Sequence, residues 1–474
     1  MTALSATLHV PTDAPAEPAG RRLLLLSYHF PPGQATGALR WQKLAAFAAE
    51  RGWGVDVVTL HPDDLPAADY GRLAELPPGT RIFGVPKRVP AAARWEDRAA
   101  RWVRRLRGGR RAPSSAPGAP TAAAQDELVM RAELRWLPHT ARDLLRPFRA
   151  WLFFEGEATW ARDAARVALG VARGGGYAAV VTCGPPHMVH LAGRAVARRT
   201  ELPLVMDMRD PWSLARAVFR SMASPLWFRL AERHERRSVR SAALVVTNTE
   251  HLRRAMQALH PDARDRIIAV MNGCDDDPLP PTPERRRFTV AYAGNIYLDR
   301  DPRPLFRAAA RVVRREGLTP DEFRIEFLGH VQSLGDVPLE AMAAAEGVGA
   351  YVDVHPRRPR GEALAFLAGA SVLLSLPQGV DLAIPSKLFE YMQFPAWILA
   401  LAAPGSATEL LLRGTAADVV DPGDVDALER VLRERFLQHR AGIRPEPVNA
   451  DGRFGRRRQA EILFDALEAR VGRP

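Results

Sequence analysis

The sequence predicts an α/β protein built from two domains, each a doubly wound parallel sheet, and three observations carry that expectation. Short apolar runs alternate with helical patterns, the signature of strands joined by crossover helices. The same grammar restarts near Phe288 after a Pro-rich stretch. At 474 residues the chain also exceeds what one hydrophobic core organises.

In chain order, Met1 to Gly20 is rich in Ala, Pro and Thr and has no basic segment followed by an apolar run, so it reads as a disordered leader rather than a signal peptide. Arg22 to Ser27 is the first strand. It ends in the turn-rich Tyr28-His29-Phe30-Pro31-Pro32-Gly33, after which Leu39, Leu44, Phe47 and Ala48 recur at helical spacing. Further strands are expected at 54–60, 81–85, 178–182, 204–208 and 243–247. An irregular insertion, 88–149, interrupts this first domain (21–275), and its Ala/Pro/Ser/Gly-rich 110–125 portion should be disordered. A linker, 276–287, leads to the second domain, 288–450. Its strands are expected at 288–293, 324–328, 351–354, 370–376, 396–401 and 417–420, and its helices at 304–315, 338–346, 361–367, 386–392 and 425–438. A last helix, 456–471 within 451–474, is expected to pack back on the first domain.

The formal charge of +12 admits nucleic acid, an acidic membrane or a phosphate-bearing substrate. Lysine occurs only at Lys43, Lys87 and Lys387, so the basic character is almost wholly arginine. No recognition helix or RNA-binding motif stands out and the arginines are dispersed, which disfavours nucleic acid. Within the insertion, Trp95, Ala99, Trp102 and Leu106 recur at helical spacing among arginines. Residues 94–107 suit either a surface helix packed on its own domain or contact with an anionic bilayer. Phe394 to Ala403 is too short for a membrane span and reads as a buried strand. The expected location is cytoplasmic, with peripheral contact at the inner face of the membrane as an option. Cys183 and Cys274 are too few and too far apart for a disulfide framework or a zinc site, and are expected as core thiols.

Ligands of doubly wound sheets bind outside the carboxyl ends of the strands, so the residues after each strand are the informative ones. Gly33-Gln34-Ala35-Thr36-Gly37 follows the first strand and suits either close backbone approach to an anion or a structural turn. Cys183-Gly184-Pro185-Pro186-His187-Met188-Val189-His190 sets two imidazoles on a tight turn. They fit hydrogen bonding to sugar hydroxyls, proton traffic near neutral pH, or a rigid turn with capping histidines. Asp207-Met208-Arg209-Asp210-Pro211-Trp212 clusters charge at a strand end, for ligand binding or a structural ion-pair network. In the second domain Ala293-Gly294-Asn295-Ile296 closes a strand, with Arg300 and Arg303 downstream to clamp a diphosphate. Pro385-Ser386-Lys387 precedes a helix with Glu390 one turn in. Ser386, Lys387 and the helix start can meet phosphate while Glu390 accepts from ribose hydroxyls; the other reading is a capped helix with a Lys-Glu pair.

These stretches, with Asn272-Gly273, Arg40 and Tyr292, occur in an order that resembles the GT-B glycosyltransferases of family 4, particularly bacterial members, over nearly the whole chain. The resemblance implies two Rossmann-like domains facing across a cleft, and transfer from a nucleotide-diphosphate sugar with retention and without an obligatory metal or cofactor. It implies a hexosyl or related sugar transferase of polysaccharide, glycolipid or secondary-metabolite assembly. The implied donor-binding residues are Gly37, Gly294, Asn295, Gly329, Ile384, Pro385, Ser386, Lys387, Leu388 and Glu390. Those at the reaction are His187, His190, Asp210, Arg300 and Lys387, and those for the acceptor are Tyr28, His29, Arg40, Arg209 and Trp212. Arg300 and Lys387 would neutralise the departing diphosphate while the anomeric centre becomes oxocarbenium-like. Two departures stand out. A carboxylate common one helix-length before the ribose glutamate falls at Leu382, beside Asp381, and Asn295 follows Gly294 where an arginine is usual. A sugar-nucleotide 2-epimerase on the same scaffold, or a non-catalytic subunit that binds nucleotide sugar, are the alternatives.

Overall fold

The computed structural model describes residues 6–9, 21–88, 139–214, 225–275, 277–296, 300–331, 333–334, 337–377 and 381–473. The stripe at 94–107 and the 110–125 segment lie outside these residues, as does the leader apart from 6–9. The chain divides into two compact units. The first comprises 1–248, 253–270 and 460–474, and the second comprises 249–252 and 271–459.

In the first unit the strands are β1 (Ala6–His9), β2 (Arg22–Ser27), β3 (Gly54–Leu60), β4 (Arg81–Val85), β5 (Tyr177–Gly184), β6 (Leu204–Met208), β7 (Leu244–Thr247) and β8 (Ile267–Ala269). They form one sheet in the order β1-β4-β3-β2-β5-β6-β7-β8, parallel except for β1. The leader expectation is corrected here: residues 6–9 pair antiparallel with β4, from Ala6 opposite Gly84 to His9 opposite Arg81. An edge strand of this kind satisfies backbone groups that β4 would otherwise leave open. Helices α1 (Thr36–Glu50), α2 (His139–Ala172), α3 (Val189–Thr200), α4 (Pro225–Ser241) and α5 (Glu250–Leu259) accompany the strands. The expected irregular insertion is therefore helical from His139 onward.

The second unit holds β9 (Phe288–Asn295), α6 (Arg303–Glu316), β10 (Phe323–His330), the small hairpin β11 (Ser333–Leu334) and β12 (Val337–Pro338), and α7 (Leu339–Ala345). There follow β13 (Val352–His355), α8 (Arg360–Ala368), β14 (Val372–Ser375), α9 (Ser386–Tyr391), β15 (Trp397–Leu401), α10 (Ala407–Leu412), β16 (Asp418–Val420) and α11 (Val425–Arg440). Its sheet is parallel throughout, in the order β13-β10-β9-β14-β15-β16. The last helix, α12 (Arg456–Val471), sends Ala460, Leu463, Phe464 and Leu467 into the core of the first unit with Leu23, Trp41 and Trp53.

Both sheets reverse strand order once, between β2 and β5 and between β9 and β14. Such topological switch points open a crevice at the carboxyl ends of the strands. One residue at the opposite end of the first sheet ties its strands together. Asp56, wholly buried, accepts bonds from Arg22, Arg81 and Tyr177, the first residues of β2, β4 and β5. These donors hold its carboxyl below the ordinary range despite burial, which acts the other way. Cys183 and Cys274 are buried free thiols, as composition implied. Among the described residues, no helix is long and apolar enough to cross a membrane.

Candidate active site

At the switch point of the second unit, β9 and β14 pair only at Val290 with Val372 and Ala291 with Leu373. β9 runs on to Asn295 without its neighbour. The amide and carbonyl of Ala293, next on the β14 side, are taken up by side chains of α9 instead. Ala293 N donates to the Tyr391 hydroxyl (3.0 Å), and Ala293 O accepts from Lys387 Nζ (3.0 Å) and the Tyr391 hydroxyl (3.2 Å). Lys387 and Tyr391 are four residues apart and so lie on one helix face. Glu390, three residues from Lys387, flanks them.

Lys387 Nζ also stands 3.6 Å from the centre of the Tyr292 ring, a cation–π contact. Burial pulls its pKa well below the usual lysine value; Arg300 acts in the same direction and Glu390 opposes them. An ammonium held by a carbonyl and a ring, with a second cation nearby, is suited to receive an anion.

The backbone beside it is packed too closely to carry side chains. Gly294 and Gly329 are register partners at the carboxyl ends of β9 and β10, with φ of 137° and 127°. A β-carbon on Gly329 would lie 2.2 Å from Gly294 O, and one on Gly294 would lie 2.7 Å from Lys387 Nζ. Only glycine fits either place. Asn295 O accepts from the Tyr292 hydroxyl (2.6 Å) and from Arg300 Nη1 (3.2 Å), which draws Arg300 back to the strand end. Ser386 is exposed at the first turn of α9 and Pro385 precedes it as the cap. Ile384 and Leu388 point into the core, so any part they take in binding falls to their main chain.

Glu390 pairs with Arg360 at 2.9 Å. Burial raises its pKa, with Asp275 and Asp277 adding to the rise and Arg360 opposing it. Upstream, Asp381 and Leu382 contribute their carbonyls to structure: Asp381 O accepts from Ala407 N (2.7 Å) and Leu382 O from Thr249 Oγ1 (2.7 Å).

The switch point of the first unit is furnished differently. Pairing of β2 with β5 continues to Ser27 opposite Cys183, leaving the two motif turns side by side. Arg209 joins them. Its guanidinium donates to Pro185 O and lies so close to Gly37 that a β-carbon there would be 1.9 Å from Nη1. Arg40 is buried and bound to Asp207 through Nε (2.9 Å) and Nη2 (3.0 Å), while Trp41 Nε1 donates to the same carboxylate (2.8 Å). Of the charges read at this strand end, Arg40 is thus a strut of the ion-pair network, whereas Asp210 is exposed.

His187 stacks on Trp212 (5.1 Å between centres, 16° between planes), and Trp212 is in turn parallel to His234 at 6.4 Å. Trp212 is held by its neighbour Ser213, whose amide and hydroxyl both donate to buried Glu235. His190 is fully buried, and its Nδ1 lies 2.8 Å from Thr182 Oγ1. His187 Nδ1 and His190 Nε2 have no hydrogen-bond partner, and both face the α-carbon of Gly184. Burial, reinforced by Arg209, lowers His187 to about 3; burial, with His187 and Arg209, lowers His190 well below the ordinary value. Both imidazoles are therefore neutral near pH 7, each with one ring nitrogen unpartnered. Tyr28 packs edge-on against Trp160 (4.8 Å) and His29 (5.1 Å), and His29 is lowered to about 3 by burial, Arg209 and Lys87.

Tyr391, Arg360, Thr182 and Glu235 belong to these sites but were assigned no role from sequence, and Tyr292 entered only through the resemblance. Tyr391 alone carried a local signal, its four-residue spacing from Lys387.

No protein-family model matches the chain, and no curated protein matches its sequence. Solved structures do match. Sucrose-phosphate synthase from Thermosynechococcus elongatus is similar with a TM-score of 0.57 at 13% identity, over 95% of this chain and 97% of that one. The Anabaena protein HepE, solved in complex with UDP, gives 0.56 at 13% identity over 94% and 100%. A Listeria monocytogenes protein proposed to be a UDP-N-acetylglucosamine 2-epimerase gives 0.51 at 10% identity over 95% and 96%. The two-unit parallel α/β architecture expected from the sequence is the fold of these chains.

Proposed function

We propose that the chain is a glycosyltransferase that takes a nucleotide-diphosphate sugar at the β9–β14 switch point. The observation that carries this reading is Lys387, a desolvated ammonium at the end of β9 beside Gly294, where a β-carbon would lie 2.7 Å from Nζ. A diphosphate there would gain charge-assisted bonds from Lys387 and Arg300. Both would strengthen as negative charge grows on the leaving group, which is the electrostatic demand of glycosyl transfer. Glu390, held by Arg360, would accept from ribose hydroxyls through its carboxylate. The first unit supplies neutral lone pairs on His187 and His190, suited to accept from sugar or acceptor hydroxyls, with Asp210, Arg209, Tyr28 and His29 nearby in the fold. Retention, membership of family 4, a metal-independent reaction and a role in polysaccharide, glycolipid or secondary-metabolite assembly are parts of the same proposal. So is a cytoplasmic location.

UDP is the first ligand to test, since a chain of the same fold was solved with it. Calorimetric titration should show UDP bound by the wild type, and Lys387→Ala and Glu390→Ala should each abolish sugar transfer while remaining folded. Wild-type turnover in either variant overturns the assignment. The epimerase reading is favoured by the pair of unprotonated imidazoles, which could move a proton at a sugar carbon. It predicts conversion of the nucleotide sugar to its 2-epimer without any acceptor, whereas a transferase consumes the donor and releases the nucleoside diphosphate. A subunit that only binds would do neither.

A further inference from the structure

The sheet of the second unit sends two crossover helices away from its carboxyl edge, α8 after β13 and α9 after β14. β13 reaches that edge at His355, the register partner of Leu328, one residue before Gly329. Both helices therefore begin on the side of the sheet where Gly294, Gly329 and Lys387 lie. α8 starts with Arg360, after Pro359 at the cap. A cation at the first residue of a helix opposes the positive end of the helix dipole, so local preference does not account for it. Its partners do. Nη1 lies 2.9 Å from Glu390 Oε1 on α9, and Nη2 lies 4.0 Å from Asp277 Oδ2.

Glu390 has few other ways to keep its charge. Its own helix offers Lys387, three residues back, but that ammonium is held by Ala293 O and the Tyr292 ring. The segment before β9 brings Asp275 and Asp277, which are like charges, and Arg456 is bound to Asp275. Burial raises the Glu390 carboxyl, Arg360 opposes the rise, and the two aspartates add to it. Arg358 is turned away to Glu362 (3.2 Å). Among the described residues, Arg360 is the one cation in ion-pair contact with Glu390. A pair as exposed as this one adds little to stability. Its effect falls on the carboxylate.

We propose that Arg360 is the positioning residue of the nucleotide site: bound to Oε1, it fixes the Glu390 carboxylate as an acceptor for ribose hydroxyls. The inference rests on the nucleotide-sugar reading above and adds to it a side chain that acts only through another. A carboxylate accepts at both oxygens, whereas the protonated acid turns one of them into a donor. Without Arg360, burial and the two aspartates act unopposed, and the carboxyl takes up its proton at higher pH. Nucleotide affinity should then fail earlier as pH is lowered.

The test is calorimetric titration of the full chain between about pH 5 and pH 8 with UDP and with dideoxy-UDP, which lacks both ribose hydroxyls. Wild type is compared with Arg360→Gln, Arg360→Lys and Glu390→Gln. Titration of the nucleotide's own phosphate is common to all of them and cancels in their ratios. Arg360→Gln should bind UDP within about twofold of wild type at the alkaline end. It should fall behind by about fivefold to tenfold as pH is lowered, its acid limb moving up by about one pH unit. Arg360→Lys should restore most of that loss. Dideoxy-UDP should bind wild type and Arg360→Gln alike, and adding Arg360→Gln to Glu390→Gln should lose nothing further. If wild type binds no UDP, the nucleotide reading itself fails and this inference with it. The site reading stands and the role of Arg360 is overturned if wild type binds UDP and Arg360→Gln follows the same pH profile, loses both nucleotides equally, or is not rescued by lysine. A further loss in the double variant overturns it too. Arg360→Ala replaces the glutamine variant if the latter melts earlier than wild type.

Discussion

The two switch points share a topology and differ in what fills them. In the first unit the sheet stays paired to its end, and the charge at the end of β6 is closed on itself, Asp207 taking bonds from both Arg40 and Trp41. In the second unit the sheet parts two residues after pairing begins, and α9 covers the exposed backbone with a lysine and a tyrosine. One arrangement spends its charges on rigidity. The other holds a cation whose bonded partners are a carbonyl and a ring. A buried pair and a desolvated lone charge cost free energy differently: the first fails when a partner is removed, while the second is relieved by removal and satisfied by a ligand.

The largest effect should come from the first unit. Asp207→Ala strands the buried Arg40 guanidinium and should cost about 3–5 kcal/mol in urea unfolding. A loss under about 1 kcal/mol would show that the network is solvated and the contrast unreal. Next is Gly329→Ala, which combines an unfavourable φ with the approach to Gly294 O. It should cost about 1–3 kcal/mol and remove UDP binding, read by thermal shift with and without ligand.

Lys387→Ala should weaken nucleoside-diphosphate binding by about 1.5–3 kcal/mol, or roughly tenfold to a hundredfold. The free protein should nonetheless melt no earlier. The sign follows from linkage. Lys387 has a folded pKa below its unfolded value, so between the two the unfolded chain binds more protons and stability rises with pH; removing the amine removes that penalty. Diphosphate affinity should fall as pH rises through the lysine's lowered pKa, a dependence absent from the alanine variant. A variant that melts earlier and binds UDP normally would make Lys387 a structural group like Arg40.

The smallest effect concerns the imidazoles. With a folded value of about 3 against an ordinary 6.5, His187 contributes stability that is complete above pH 6.5 and lost as pH falls toward 3. His187→Gln should flatten that acid limb in a pH series of melting temperatures. Activity should show no His187 step between pH 5 and 8.

Much of the fold was legible because buried parallel strands are apolar runs bounded by turns. β3, β4 and β6 fall on the residues their sequences indicate, and α12 does as well. β1 was missed because Ala6–His9 has no strand pattern of its own, and its pairing depends on the open edge of β4. β8, three residues long, and α10, six residues long, are too short for periodicity to register. The segment Pro385 to Glu390 was visible through its local spacing. Its partners were less so: Ala293 is a backbone position, Tyr292 looks like any core aromatic, and Arg360 reaches Glu390 from a helix thirty residues upstream. Long-range geometry, such as Arg209 closing over Gly37, leaves no periodic trace.

The path of the chain through α12 has a consequence for how the molecule is made. Leu463, Phe464 and Leu467 belong to the same core as Trp41 and Trp53, and Arg51 meets Asp465 (2.7 Å) and Glu468 (3.2 Å). During synthesis the first unit must therefore wait, with part of its apolar interior uncovered, until the whole of the second unit has left the ribosome. The second unit has no such debt to later residues beyond Gln459. Vectorial folding should complete the two in the reverse of their order of appearance, with the earlier-made unit relying longer on chaperones.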